Sequence, residues 1–311
     1  MKSQVKCNLI IDSCCDLPYE VVNRPGISLL KFPYTGNDGE HVDDFYQSIT
    51  PHDFFESMRS GNEPKTAQVP MNVFHSVFSA AIETGVPTVY LSFTSGLSGS
   101  FETACMMRDK LVDENPEAEL YVVDTKLASV AEALLVYEAI NQRERGMSAA
   151  ELAAWAEEAR YFVDAEFMVD NLEALQRGGR IPASVAYAGA KLDVKPLLNI
   201  TLDGKLGLCG VARGRKKGIR QLAEFVKTRI GDKVPGRCVV IGNADCEKDA
   251  TRLKEMLQKH DSDLLFLESS IGPVIGSHTG PGMLAVVFWG SDRRTDISIA
   301  EKIARKVKRE G

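Results

Sequence analysis

Two uninterrupted apolar runs constrain this chain most. Thr88-Val89-Tyr90-Leu91 and Leu120-Tyr121-Val122-Val123-Asp124 are β-branched, aromatic or aliphatic almost throughout, the pattern of strands buried on both faces of a parallel sheet. Parallel neighbours need a crossover, and the sequence between them supplies one. A helix is expected after Gly99, turning Phe101, Ala104, Cys105 and Leu111 inward. Leu9-Ile10-Ile11-Asp12 and Ile27-Ser28-Leu29-Leu30 read as two further strands. Ahead of the first run, Val73, Phe74, Val77, Phe78, Ala81 and Ile82 recur at helical spacing between Pro70 and Gly85. The first half is therefore expected to be a parallel α/β unit.

Near residue 148 the pattern changes. Ser148-Ala149-Ala150-Glu151 is a capping box opening a helix with Leu152, Trp155 and Ala159 on one face. Asp170 reads as the N-cap of a short helix carrying Glu173 and closed by Gly178-Gly179. Asp203-Gly204 marks a hairpin joining Asn199–Leu202 to Leu206–Val211. A helix near 217–230, a strand at Arg237–Ile241 and a helix turning Ala250, Leu253 and Leu257 inward follow. Strands at Leu264–Leu267 and Leu284–Phe288 and a final helix at 297–308 complete the reading. A boundary falls at 155–165, dividing the 311 residues into 1–160 and 161–311.

Composition excludes several classes. A net charge of −6 leaves no basic field for a nucleic-acid backbone. No run of about 18 apolar residues is present, and Met1–Lys6 lead directly into a strand, so neither signal peptide nor membrane anchor is expected. The seven cysteines are odd in number, scattered and without a CxxC pair, which reads as reduced thiols in a cytoplasmic protein, with no metal or cofactor.

Four loops place small or hydroxylated residues where strands meet helices. Asp12-Ser13-Cys14-Cys15-Asp16-Leu17-Pro18 fits a capped helix entry, and Thr66 in Lys65-Thr66-Ala67-Gln68 fits a turn hydroxyl. Ser92-Phe93-Thr94-Ser95-Gly96-Leu97-Ser98-Gly99-Ser100 precedes a helix, whose free N–H groups suit phosphate or carboxylate. It lacks the lysine of a P-loop and misses the GxSxG nucleophile elbow by one residue. Among the five histidines, His278 alone lies in a glycine-rich loop, Ile275-Gly276-Ser277-His278-Thr279-Gly280-Pro281-Gly282. Arg180 follows a helix C-terminus and suits the dipole there. Arg213-Gly214-Arg215-Lys216-Lys217 is either solvated charge or a surface for an anion or acidic partner.

In this order, the segments resemble the DegV family, whose characterised members are the FakB fatty-acid-binding subunits of bacterial fatty acid kinase. The likeness is collinear: Asp12-Ser13 with Asp16-Leu17, Thr66-Ala67-Gln68, Ser98-Gly99-Ser100, Val123-Asp124 with Ser129, Leu175 with Gly178-Gly179-Arg180-Ile181, Lys195-Pro196-Leu197-Leu198 with Asp203-Gly204, and His278-Thr279-Gly280-Pro281-Gly282. Ala67 stands where the family more often has serine. Gly214 interrupts the basic segment.

The resemblance implies a two-domain α/β fold, a parallel-sheet domain followed by a mixed-sheet domain, with a long-chain fatty acid between them. The carboxylate is expected at Thr66, Ser98, His278 and Thr279, with Ser95 and Gly99 in support. Arg180, Arg213 and Arg215 are expected to face a FakA-type kinase, which phosphorylates the carboxylate to an acyl-phosphate for phospholipid synthesis. The chain itself carries no nucleotide motif. At about 0.8 kcal/mol per buried CH₂, a 16-carbon tail gains on the order of 10 kcal/mol on leaving water, so it must be enclosed. Phe74, Val77 and Phe78 suit core better than tunnel wall. The enzymatic alternative is a serine esterase or phosphate-ester enzyme using Ser98 and His278, with Asp12 or Asp124 as the orienting acid.

Overall fold

The computed structural model describes residues 5–182, 194–230 and 237–295. Strands β1 (Asn8–Asp12), β2 (Ile27–Leu30), β6 (Thr88–Ser92) and β7 (Leu120–Asp124) form a four-stranded sheet in the order β2-β1-β6-β7. Every pairing in it is parallel, and all five β6 residues are buried. The helix Met71–Glu83 turns Phe74, Phe78 and Ala81 inward. The Phe74 and Phe78 rings pack on Tyr90 of β6, which makes these two phenylalanines core. In the helix Ser100–Glu114 the buried residues are Ser100, Ala104, Met107 and Leu111; Phe101 and Cys105 are only partly covered. A small antiparallel sheet that the sequence did not suggest, β3 (Pro33–Gly36), β4 (Gly39–Val42) and β5 (Lys65–Thr66), carries Thr66.

The second half contributes β8 (Val163–Met168), β9 (Val194–Ile200), β10 (Leu206–Arg213), β11 (Cys238–Asn243), β12 (Leu265–Ser270) and β13 (Leu284–Trp289). They form a six-stranded mixed sheet ordered β10-β9-β8-β13-β11-β12, antiparallel except for β11–β12. Successive side chains of a strand point to opposite faces, and here each face has its own core. Met168, Val239, Ile241, Leu284 and Val286 pack with Leu222, Leu253 and Leu257 from helices Arg215–Arg229 and Glu247–His260. Ala165, Phe167, Val240, Ala285 and Val287 belong instead to the core that runs into the first sheet. Between the sheets lies helix Val130–Glu144, buried along most of its length.

The capping box forms as expected, Ser148 Oγ accepting from the Glu151 N–H. The hairpin also forms, with longer strands joined through residues 201–205, where Gly204 has φ +79°. Two readings need correction. Leu172, not Asp170, is the N-cap of the short helix Glu173–Arg177, and Asn171 Oδ1 accepts the Glu173 N–H; Asp170 is drawn away by Arg215 and Lys195. His278 does not lie in a loop: Pro273–Thr279 is a helix, with Pro273 in its first turn and Gly280 ending it at φ +76°. The helix expected at 297–308 lies outside the described residues. No helix among the described residues is long and apolar enough to cross a membrane.

Candidate functional site

The inner face of the mixed sheet does not close completely on the first half. A cavity remains there, with an empty volume of about 790 Å³ including its solvent-filled mouth. Its apolar wall includes Phe32, Phe93 and Ala131 from the first half and Phe167, Ala285 and Val287 from the second. Ala131, Ala165 and Ala285 each present only a methyl group to this space.

Polar groups gather on another part of the wall. Thr66, on the last strand of the small sheet, meets His278, in the last turn of helix 273–279: Oγ1 and Nε2 are hydrogen-bonded at 2.7 Å. Burial pushes the His278 imidazole down to about 4, helped by the positive charges of Arg180 and Arg177. It is therefore neutral at pH 7, with one donor and one acceptor nitrogen. Nδ1 has no partner among the described residues. It faces Gly178, where an added Cβ would come within 2.0 Å of it, so the missing side chain at Gly178 lets the imidazole pack on bare backbone.

Arg180 completes this polar end. Nε donates to the Leu97 carbonyl at 3.2 Å and Nη1 donates to the Gly178 carbonyl. Burial lowers the guanidinium from its ordinary value. Among the described residues it forms no salt bridge and donates to two carbonyl oxygens, so a positive charge stands at the edge of an apolar cavity. Such a site favours an anionic group joined to an apolar body.

The other expected residues divide. Ser98 and Thr279 line the cavity, but Ser98 Oγ donates to Ser100 Oγ at 3.0 Å and Thr279 Oγ1 donates to the Ile275 carbonyl at 3.1 Å. Ser95 and Gly99 are not on the cavity wall: Ser95 Oγ accepts from Lys126 Nζ at 2.6 Å, and Gly99 caps helix 100–114. Arg213 is exposed at the end of β10. Arg215 is bound between Asp249, at 2.5 Å, and Asp170, at 2.9 Å, so these two arginines are not brought to the cavity. Nor does a nucleophilic triad assemble. His278 pairs with Thr66 and not with Ser98. Asp12 accepts from Tyr90, Phe93 and Cys14, while Asp124 holds Lys126 and Ser95.

Sequence reading did not find the apolar wall. Phe167 and Ala285 carry the period-2 signal of a strand face, but a void depends on what stands opposite, which no local pattern contains.

The fold and cavity define a class: an α/β protein with a parallel and a larger mixed sheet and an apolar cavity whose polar end carries a cation. The profile of the DegV family of uncharacterised proteins matches residues 6–290, and the chain belongs to that family. A DegV domain-containing protein of Clostridium perfringens is 34% identical over 285 residues, covering 92% of this chain and 98% of the relative. Among solved structures, a DegV family protein of Thermus thermophilus described as binding fatty acid superposes with a TM-score of 0.79 at 27% identity, covering 92% of this chain and 100% of that one. A Thermotoga maritima protein described as having a fatty acid binding function gives 0.76 at 26%, covering 93% and 100%.

Proposed function

We propose that this chain is a carrier that encloses a long-chain fatty acid in the cavity and presents its carboxyl group to a partner kinase. The observation that carries this reading is Arg180, a cation without an ion-pair partner among the described residues, beside the Thr66–His278 pair at the end of an apolar cavity. The tail takes the space lined by Ala131, Ala165 and Ala285, and the carboxylate meets Arg180, His278 and Thr66. Ser98 joins them by turning its hydroxyl from Ser100. The fatty-acid-binding relatives of Thermus thermophilus and Thermotoga maritima support the ligand class.

The kinase step follows from the resemblance. A FakA-type enzyme transfers the γ-phosphoryl group of ATP to a carboxylate oxygen, giving ADP and an acyl-phosphate. A neutral His278 and a cationic Arg180 suit both the acid and that product. This role belongs to a soluble cytoplasmic carrier built from domains 1–160 and 161–311. Mass spectrometry of lipid extracted from the purified protein tests the binding, with a stoichiometric fatty acid expected. If none co-purifies and none exchanges in from a labelled pool, the reading fails. Incubation with ATP and a FakA-type kinase then tests presentation, acyl-phosphate being the expected product.

A further inference from the structure

The helix that carries His278 is fixed at its other end by groups from the first half of the chain. Asp16 Oδ1 accepts the Gly272 N–H at 3.0 Å, and Oδ2 accepts the Ser129 hydroxyl at 2.5 Å. The Asp16 backbone carbonyl accepts the Ser269 hydroxyl. Asp43 stands on the same glycine: a Cβ at Gly272 would lie 2.6 Å from Asp16 Oδ1 and 2.9 Å from Asp43 Oδ2. Tyr46 donates its hydroxyl to the Ile271 carbonyl at 2.5 Å. Phe45 and Tyr46, beside Asp43, both adopt left-handed backbone, at φ 60° and 58°. Consecutive non-glycine residues in that region are strained and persist only where their surroundings demand it.

Asp16 itself is left-handed at φ 52° and 4% exposed. Its two carboxyl oxygens join two segments that both line the cavity. Ser129 is the N-cap of helix 130–144, held at φ 55°, and Gly272 is the N-cap of helix 273–279. From Gly272 a helical segment of about 9 Å, at 1.5 Å per residue, leads to His278. A tilt at Gly272 is therefore carried to the imidazole, whose only hydrogen-bond partner among the described residues is Thr66.

We propose that Asp16 is a positioning residue for the carboxyl end of the cavity: by tying Ser129 to Gly272 it sets helix 273–279 so that His278 meets the ligand's acid group. This rests on the reading of the cavity as a fatty-acid site. Burial keeps the Asp16 carboxyl well above its ordinary range, and either protonation state still provides an acceptor for Gly272. Asparagine keeps that acceptor and can donate to Ser129, whereas alanine loses both contacts.

The test compares palmitic acid with 1-hexadecanol, which has the same tail and no carboxyl group, by displacement of a fluorescent acyl probe from delipidated full-length protein. A hydrogen bond to a charged group corresponds to a factor of about ten or more in affinity. Asp16→Ala is expected to lower the acid-over-alcohol preference about tenfold while hexadecanol affinity changes less than about threefold, with Asp16→Asn restoring the preference. His278→Ala is expected to give the same loss, and the double variant no further loss, because both act through one contact. Parallel weakening of acid and alcohol in Asp16→Ala, or an unchanged preference, overturns the proposal. If Asp16→Ala does not fold, Gly272→Ala, which pushes a methyl group against both carboxyls, is read by the same ratio, and an unchanged ratio there overturns it equally. Wild-type protein that binds neither ligand defeats the fatty-acid reading itself, a result distinct from failure of the variants alone.

Discussion

The two faces of the six-stranded sheet are made by alternate residues of the same strands, yet they differ in what they bury. The outer face packs Val239, Ile241, Leu284, Val286 and Phe288 against Leu222, Leu253 and Leu257, with every one of these side chains at 5% exposure or less. The inner face is also apolar, but it leaves a cavity and shares its core with ionisable groups. Asp12, Asp16, Asp43 and Glu132 are each under 5% exposed, and both Glu132 carboxyl oxygens lack a partner among the described residues. Unpaired polar groups and voids both cost stability. The outer face therefore stabilises the sheet, which allows the inner face to be underpacked and polar where a ligand is to be held.

The sharpest way to break this comparison is to damage the outer face alone. Leu253 is fully buried there, remote from the cavity wall. Leu253→Ala is expected to lower unfolding free energy by about 2–5 kcal/mol, measured by urea denaturation, while acyl-chain affinity under native conditions stays unchanged. Loss of affinity in a folded Leu253→Ala protein means that the two faces are mechanically coupled and the division is wrong.

A smaller effect comes from pH, which acts mainly through the buried carboxyls on the inner side of the sheet; Glu166, which burial raises to about 7, acts in the same direction. Burial pushes the carboxyls of Asp12 and Asp43 up to about 7, against an ordinary 3.8, and raises Asp16 and Glu132 well above their ordinary range. The folded chain thus holds protons that the unfolded chain has released. The associated stability is fully present below the unfolded value and is lost as pH rises through 7. Between pH 5.5 and 8 each of the two aspartates contributes about 2 kcal/mol in that direction. His278 opposes them: its neutral burial, with a value near 4 against 6.5, costs stability as pH falls, by about 1 kcal/mol over the same window. Delipidated protein is therefore expected to melt at higher temperature at pH 5.5 than at pH 8, with Asp43→Asn flattening the difference. A higher melting temperature at pH 8 contradicts the assignment of these carboxyls to the folded state as buried acids.

The same contrast explains what was legible in the sequence. The outer face is periodic and complete, and Ala250, Leu253 and Leu257 are the buried residues of their helix as the spacing predicts. The parallel strands β6 and β7 were equally plain, because continuous apolar runs have few other uses. Helix 273–279 was not, since Pro273, Gly276 and Gly280 read locally as a loop. Gly276 is needed because a Cβ there would approach the Phe55 ring to 2.8 Å, a neighbour more than two hundred residues away. The ion pairs of Arg215 were illegible for a similar reason: in the sequence it is one of a run of cations, and only folding brings Asp170 and Asp249 to it. Thr66, His278 and Arg180 entered through their family pattern, not through periodicity, and the alanines that line the cavity carry no local signal at all.

The smallest expected change in stability belongs to a substitution that fills the inner face. Ala285 lies in β13 opposite Phe167 and Gly242 and lines the cavity. In a closely packed core, enlarging alanine to leucine forces strain of about 1–3 kcal/mol. Here the added atoms enter existing space, and each buried methylene returns about 0.8 kcal/mol, so Ala285→Leu is expected to shift unfolding free energy by less than about 1 kcal/mol. The same side chain occupies room that the acyl tail requires, so the fatty acid recovered by extraction should fall steeply. Thermal unfolding of delipidated protein and mass spectrometry of the purified variant read the two effects separately. A variant destabilised by several kcal/mol that still retains its ligand would show the inner face at Ala285 to be as solidly packed as the outer one, placing the acyl chain elsewhere. Unchanged stability with lost ligand separates packing from binding at one residue of one strand, while its neighbours Leu284 and Val286 remain part of the outer core.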